Sequence, residues 1–264
     1  MTMLFLIVLL EALLAVIALA QLGLKVSLVA LGAVMLFYAW ASIHDIKGRY
    51  IPLQRAEIPW LYDGIAEMAK KANIPMPRVY LLDDYIPTAY SFKNAVVLSL
   101  GLFEVLDQDE ILAVAAHEIG HIKNGDTKTF PLLACGKYLM LAFTLFLMVL
   151  TRNAVLSISA LALAGLYELA WARFHKDREF AADETALRLL ETPMSLKRAL
   201  EELKYYEDLR TGMKSNAVPS IEPTIERKPK QRPPIIETHP SYDERVLRII
   251  IEINGNRMIK NRIQ

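Results

Sequence analysis

The chain has little cysteine and almost no net charge. One cysteine, Cys135, stands among 264 residues, so it forms no internal disulfide and no CxxC-type zinc site. A metal here must be held by histidines and carboxylates. Lys and Arg number 30 against 29 Asp and Glu, for a formal net charge of +1, which excludes the basic surface that nucleic-acid binders need for counterion release. Low hydropathy is also missing: 54% hydrophobic residues and a mean hydropathy of +0.27 exclude a disordered chain. With 22% charged residues as well, charge and apolarity must be segregated along the sequence.

The apolar blocks are Met3 to Leu22, Leu24 to Trp40, Phe130 to Leu150 and Asn153 to Ala172. Each is long enough to cross the roughly 30 Å hydrocarbon core at about 1.5 Å per residue, the second near the lower limit. They read as two hairpins, at residues 1–42 and 129–173. The first run is too long for a signal peptide, no basic residue precedes it, and another span follows at once. Lys47, Arg49, Arg55, Lys123, Lys128, Arg173, Lys176 and Arg178 crowd one end of the hairpins. By the positive-inside rule that side, with both termini, is cytoplasmic. Glu11 and Lys137 lie at similar depth in the first and third spans and invite pairing, with Glu168 of the fourth a competing partner for Lys137.

The polar remainder forms two cytoplasmic segments, residues 43–128 and 174–264. In the first, apolar spacing predicts a helix over Glu57–Ala72, and Arg78–Leu82, Thr88–Phe92 and Ala95–Ser99 read as strands of a small antiparallel meander. In the second, Arg178–Tyr206 is a charged amphipathic helical region. Met213–Pro240, holding six of the 13 prolines, reads as a loop or lid, and Tyr242–Ile259 is helical again.

Asp107–Asn124 is a helix opened by a capping box, Asp107 with Glu110, and closed at Gly125. It carries His117-Glu118-Ile119-Gly120-His121, an HExxH sequence. The i, i+4 spacing puts both imidazoles on one face, one turn apart, where they can chelate one zinc ion. Glu118 adjoins the first and can take a proton from an attacking water. The apolar neighbours Ala113 to Ala116 and Ile119 argue against a pair of surface histidines, because buried imidazoles need partners. A catalytic site needs a third ligand, for which Glu179, His175, His239 and His44 are candidates. On a helix, His175, Glu179 and Asp183 share one face. Were Glu179 the ligand, Asp183 would stand one turn on, able to accept a hydrogen bond from a ligating histidine.

The run from Ala116 to Asp126, a membrane hairpin, Arg178-Glu179-Phe180-Ala181-Ala182-Asp183, then Thr238-His239-Pro240 and Glu244-Arg245 together resemble the HtpX family of membrane-integrated zinc metalloproteases, relatives of the prenyl-CaaX endoproteases. The resemblance covers motif order, spacing and the four-span layout. It implies His117, His121 and Glu179 as ligands of one Zn2+, Glu118 as general base, Asp183 behind the ligands, and a substrate-binding sheet edge at Thr88, Ala89, Tyr90 and Ser91. That edge departs from the family's usual Asn-Ala-Phe-Ala. His239 and Arg245 match late family positions and are read as holding substrate or the oxyanion.

The expected architecture is a mainly α membrane protein, four transmembrane helices carrying a zincin-like α+β catalytic domain built from two cytoplasmic segments. The expected function is endoproteolysis of membrane or misfolded polypeptides at the cytoplasmic face, a quality-control and stress-response role, with polypeptides and the lipid bilayer as partners. Its rivals are a processing protease of lipidated CaaX-type tails, a non-catalytic zinc-stabilised membrane protein, and a transporter using Glu11, Lys137 and Glu168 as a relay.

Overall fold

The computed structural model describes residues 50–150, 154–216 and 239–263, with scattered helical positions between Leu4 and Val16. The first two expected spans, Glu11, His44, most of the proline-rich segment and Thr238 otherwise lie outside the described residues. The chain divides into two compact units, one of residues 1–47, 129–176 and 233–238, the other of 48–128, 177–232 and 239–264.

The second unit holds strands β1 (Tyr50–Pro52), β2 (Arg78–Leu82), β3 (Ala89–Phe92) and β4 (Ala95–Ser99), and helices α1 (Pro59–Ala72), α2 (Leu100–Val105) and α3 (Gln108–Lys123). Two helices, α4 (Asp126–Leu150) and α5 (Ala154–Leu189), contribute to both units; α6 (Met194–Asn216) and α7 (Tyr242–Ile263) follow. Helix α1 begins two residues later than the spacing suggested because Pro59 takes the first helical position, where its missing N–H costs nothing. Leu61, Ile65, Met68 and Ala72 line its buried stripe, and each large aliphatic among them contributes about 1.5–3 kcal/mol of burial.

The sheet order is β1-β2-β4-β3, with β2 and β4 parallel and the other pairs antiparallel. This corrects the expected antiparallel meander: the sheet is mixed, and β1 and α2 were not anticipated. Every residue of β4, Ala-Val-Val-Leu-Ser, is buried, and so apolar a run needs neighbours on both sides. The connection from β2 to β3 permits this. It is a long loop rather than a tight turn, held by Asp84, whose carboxylate accepts from the Ile86 N–H at 2.9 Å and whose carbonyl accepts from the Gly101 N–H at 3.0 Å. The slot beside β2 is left to β4, and β3 becomes an edge. Lys93, at φ 51, makes the tight turn from β3 to β4.

Helix α3 crosses this sheet and packs against α1, β3, β4 and α6. Its capping box is formed: the Asp107 carboxylate accepts from the Glu110 N–H at 2.9 Å, and Glu110 accepts from the Asp107 N–H at 3.0 Å. Gly125, at φ 77, turns the chain immediately after the helix.

The expected Arg178–Tyr206 helical region is two helices. Its first half continues α5, a 36-residue helix, and Pro193 then disfavours helical backbone at Thr192 and enforces a break. Ser195 closes the new start, its hydroxyl donating to the Thr192 carbonyl at 2.7 Å.

In the first unit, Leu4, Ile7, Met140, Tyr167, Ala170 and Trp171 form a buried cluster. The Tyr167 hydroxyl donates to the Leu133 carbonyl at 2.7 Å. Of the two partners weighed for Lys137, Glu168 is found: the ammonium donates to its carboxylate at 2.9 Å. Among the described residues one helix, α5, is long and apolar enough to cross a membrane. Val155, Ile158 and Leu161 on it are 73, 68 and 59% exposed, an apolar row that needs a non-aqueous covering.

Candidate metal centre

Helix α3 presents His117 and His121 one turn apart, their rings edge-on at 4.7 Å between centroids and their Nε2 atoms 3.1 Å apart. Helix α5 supplies Glu179, with Oε2 at 3.5 Å from His117 Nε2 and Oε1 at 3.6 Å from His121 Nε2. Three donors held by one tetrahedral zinc, each at about 2.0–2.2 Å, lie about 3.3–3.5 Å from one another. The observed triangle therefore matches a zinc site in size and in donor chemistry. Gly120 brings the two helices close enough. A Cβ there would stand 2.7 Å from the Ala182 carbonyl oxygen and 3.0 Å from its Cα, so no larger residue fits without parting the ligand helices.

Each imidazole is oriented from behind. His117 Nδ1 lies 2.8 Å from Asp183 Oδ1, and His121 Nδ1 lies 2.9 Å from Asp126 Oδ2. A carboxylate only accepts, so each Nδ1 carries a proton and each Nε2 is the ring nitrogen that faces the triangle. The aspartates are themselves gripped. Arg245 donates to both oxygens of Asp183, from Nε at 2.8 Å and Nη2 at 2.6 Å. Arg178 donates from Nε to Asp126 Oδ1 and from Nη2 to the Asn124 carbonyl at 2.9 Å. Arg245 Nη2 also comes within 3.2 Å of His117 Nδ1. That longer approach follows from both groups sharing Asp183 Oδ1, and does not displace the imidazole proton.

The electrostatics call for a cation. Burial and the Arg245 charge press the His117 pKa down, but Asp183 and Glu179 outweigh them and raise it to about 10. Burial alone would raise Glu179, yet contacts with His117 and His239 and the Arg245 charge hold it well below the usual carboxylate range. Asp183 is likewise held at about 2, burial being overcome by Arg245 and His117. A proton on His117 and a metal ion compete for the same negative surroundings.

The sequence signature of Peptidase family M48 matches residues 55–250. The chain belongs to peptidase family M48. It is 30% identical over 259 residues to the protease HtpX homolog of Aquifex aeolicus, covering 86% of this chain and 83% of that one. It is 34% identical over 208 residues to the protease HtpX homolog of Persephonella marina, covering 70% of each. Among solved structures, the crystal structure of S. mikatae Ste24p aligns with 76% of this chain and 51% of its own at a TM-score of 0.47 and 18% identity. The chain is thus a membrane-bound zinc metalloprotease, and the resemblance noted from the motifs stands.

Around the triangle of this M48 peptidase, the structure places the remaining expected residues as follows. Glu118 is buried and directly follows His117 on α3. His239 is 66% exposed, its Nδ1 3.4 Å from Glu179 Oε1. Arg245 is drawn into the interior, where it grips Asp183. It is set there by a capping box of Ser241 and Glu244 at the start of α7, and by Arg248, which lies over the Phe180 ring at 4.4 Å. Ala89, Tyr90 and Ser91 lie in edge strand β3, and Thr88 precedes it, its N–H donating to the Ser99 hydroxyl at 2.9 Å. His175, an alternative third ligand, is stacked on Phe130 at 4.1 Å in the first unit. Asp126 and Arg178 were read only within the motif runs, Arg178 also as a basic flank of the fourth apolar block, neither with a role at the site. The available signal was an acidic residue directly after the glycine that ends the HExxH helix, and a basic one directly before Glu179.

Proposed function

We propose that this peptidase is an endopeptidase holding one Zn2+ per chain on His117, His121 and Glu179, with Glu118 as general base. The observation that carries the reading is the triangle of His117, His121 and Glu179 donor atoms, each imidazole fixed from behind by an aspartate, with Glu118 next to the first of them in the chain. A zinc ion bound there supplies Lewis-acid polarisation of a water and of the scissile carbonyl. Glu118 takes the attacking water's proton and later delivers one to the leaving amine. His239, reaching out of the surface, is suited to hold substrate or the developing oxyanion. Strand β3 is the outer strand of the described sheet and touches α3. A polypeptide added to it as a further strand runs beside the HExxH helix, bound through its backbone with little demand on its sequence.

The basic flanks of the apolar blocks support a four-span chain whose catalytic segments and termini face the cytoplasm. Substrates are then membrane proteins, their cytosolic loops, or misfolded chains near the bilayer, which is a quality-control role. The test uses detergent-purified wild type beside Glu118→Gln, with metal content and cleavage of an unfolded protein measured on both. We expect about one zinc in each and cleavage by wild type alone, abolished by chelator. Substantial cleavage by pure Glu118→Gln protein removes the assignment.

A further inference from the structure

The residues behind His121 form a second bracket that the motif reading does not assign. Asp126 is 1% exposed. One of its oxygens meets His121 Nδ1 at 2.9 Å and the other takes the Arg178 guanidinium. Its position depends on a break in the helix. Were α3 to continue past Lys123, residue 126 would not lie over residue 121, because helical neighbours stand three or four apart. The left-handed turn at Gly125 folds the chain back so that Asp126 reaches the ring. Arg178 then ties three things together: the Asp126 carboxylate, the Asn124 carbonyl at the end of α3, and, by direct succession in the chain, Glu179 on α5.

Resting on the zinc reading above, we propose that Asp126 and Arg178 are positioning residues for the metal centre: Asp126 fixes the tautomer and ring plane of His121, and Arg178 sets the spacing of the two ligand-bearing helices. The arrangement repeats on unrelated chain segments what Asp183 and Arg245 do for His117. The bland alternative is that Asp126, the first residue of α4, merely favours the positive end of that helix. The two differ in what they make depend on metal. A helix-start residue stabilises the metal-free and zinc-loaded protein alike, whereas a positioning residue changes the affinity for zinc itself.

The test is zinc affinity of the detergent-purified full chain, by competition with a chelator at fixed pH, with melting of the metal-free form measured alongside. Wild type and His117→Ala set the scale. If wild type holds no zinc, the metal reading itself fails and this proposal with it. Given zinc in wild type, Asp126→Ala is expected to weaken affinity about 10–100-fold. Asp126→Asn, whose amide oxygen still accepts from Nδ1–H, recovers part of the loss, and Arg178→Gln weakens zinc by a smaller factor. In the cobalt-substituted protein, the visible bands of both Asp126→Ala and Arg178→Gln shift from those of wild type. Wild-type zinc affinity in Asp126→Ala, with or without a lowered melting temperature, overturns the proposal. Should that variant fail to fold, wild-type affinity in both Asp126→Asn and Arg178→Gln overturns it equally.

Discussion

In the helical hairpin Lys137 meets Glu168 one to one, whereas around the imidazoles four carboxylates, Glu118, Glu179, Asp126 and Asp183, stand against two guanidinium groups, those of Arg178 and Arg245. Among the described residues the first arrangement is closed: each charge is neutralised by its neighbour. The second gathers, among the described residues, more carboxylates than guanidinium groups in a buried place, an excess that a proton on His117 or a metal ion can meet. Buried charge is expensive unless paired. A cluster that folds with its pairing incomplete is suited to take up a cation, and one that folds complete is suited to brace.

The most direct way to break this contrast is to remove a donor from the incomplete cluster. His117→Ala is expected to lose zinc and peptidase activity together, with a fall in affinity well beyond the roughly 10–100-fold that a supporting residue costs. Metal analysis of the purified variant checks it, and stoichiometric zinc would show that the triangle is not the site. A subtler break leaves every donor in place and moves one helix. Gly120→Ala sets a methyl against the Ala182 backbone, which cannot rotate away. We expect about 1–3 kcal/mol of destabilisation and an activity loss on the order of 10²-fold from misplaced ligands. Melting curves and single-turnover rates separate the two effects.

How much of this was readable beforehand follows from the range over which each feature is determined. The HExxH helix was legible because its capping box, apolar neighbours and glycine stop all lie within twenty residues. The positions of β2 and β4 were equally local. Their pairing was not, since it depends on the path of the β2–β3 loop and on the need of Ala95–Ser99 for cover on both sides. The break at Pro193 was present in the sequence, but amphipathic spacing runs through it and hid two helices as one. Arg245 shows the same limit at the site. Its position matched a family pattern, and what it touches, Asp183, lies 62 residues away and is set by the packing of α7 on α5. Asp126 is an intermediate case, five residues from His121 yet reaching it through a turn that a helical reading ends rather than follows.

A milder test sharpens the comparison through pH. The His117 pKa is raised above its unfolded value to about 10. In the metal-free protein its stabilising contribution is therefore complete below about pH 6.5 and is lost as pH rises toward 10. Zinc must displace the same proton, so its apparent affinity should climb with pH through that window, by up to about tenfold per unit for one proton. Chelator competition between pH 6.5 and 9 measures this, and a flat profile would show that no proton leaves the site when the metal enters.

The smallest effect is expected in the closed pair, and it tests whether that pair does no more than brace the two helices. Lys137→Met leaves Glu168 alone and Glu168→Leu leaves Lys137 alone, and under the proposed four-span layout an unpaired charge there costs at least about 2.5–3.5 kcal/mol on insertion scales. Both side chains are 41% exposed in the hairpin, so snorkelling and protonation lower that figure. The double variant removes both charges and leaves nothing unsatisfied. Polar contacts between membrane helices average about 0.6 kcal/mol in mutant cycles, so it should recover most of the stability lost by either single variant and keep zinc and activity at wild-type levels. A double variant that instead lost activity while remaining folded would mean that the pair takes part in the reaction, and the division between site and brace would have to be drawn elsewhere. Removing Asp126 and Arg178 together should give no such recovery, because those two charges hold a ligand as well as each other.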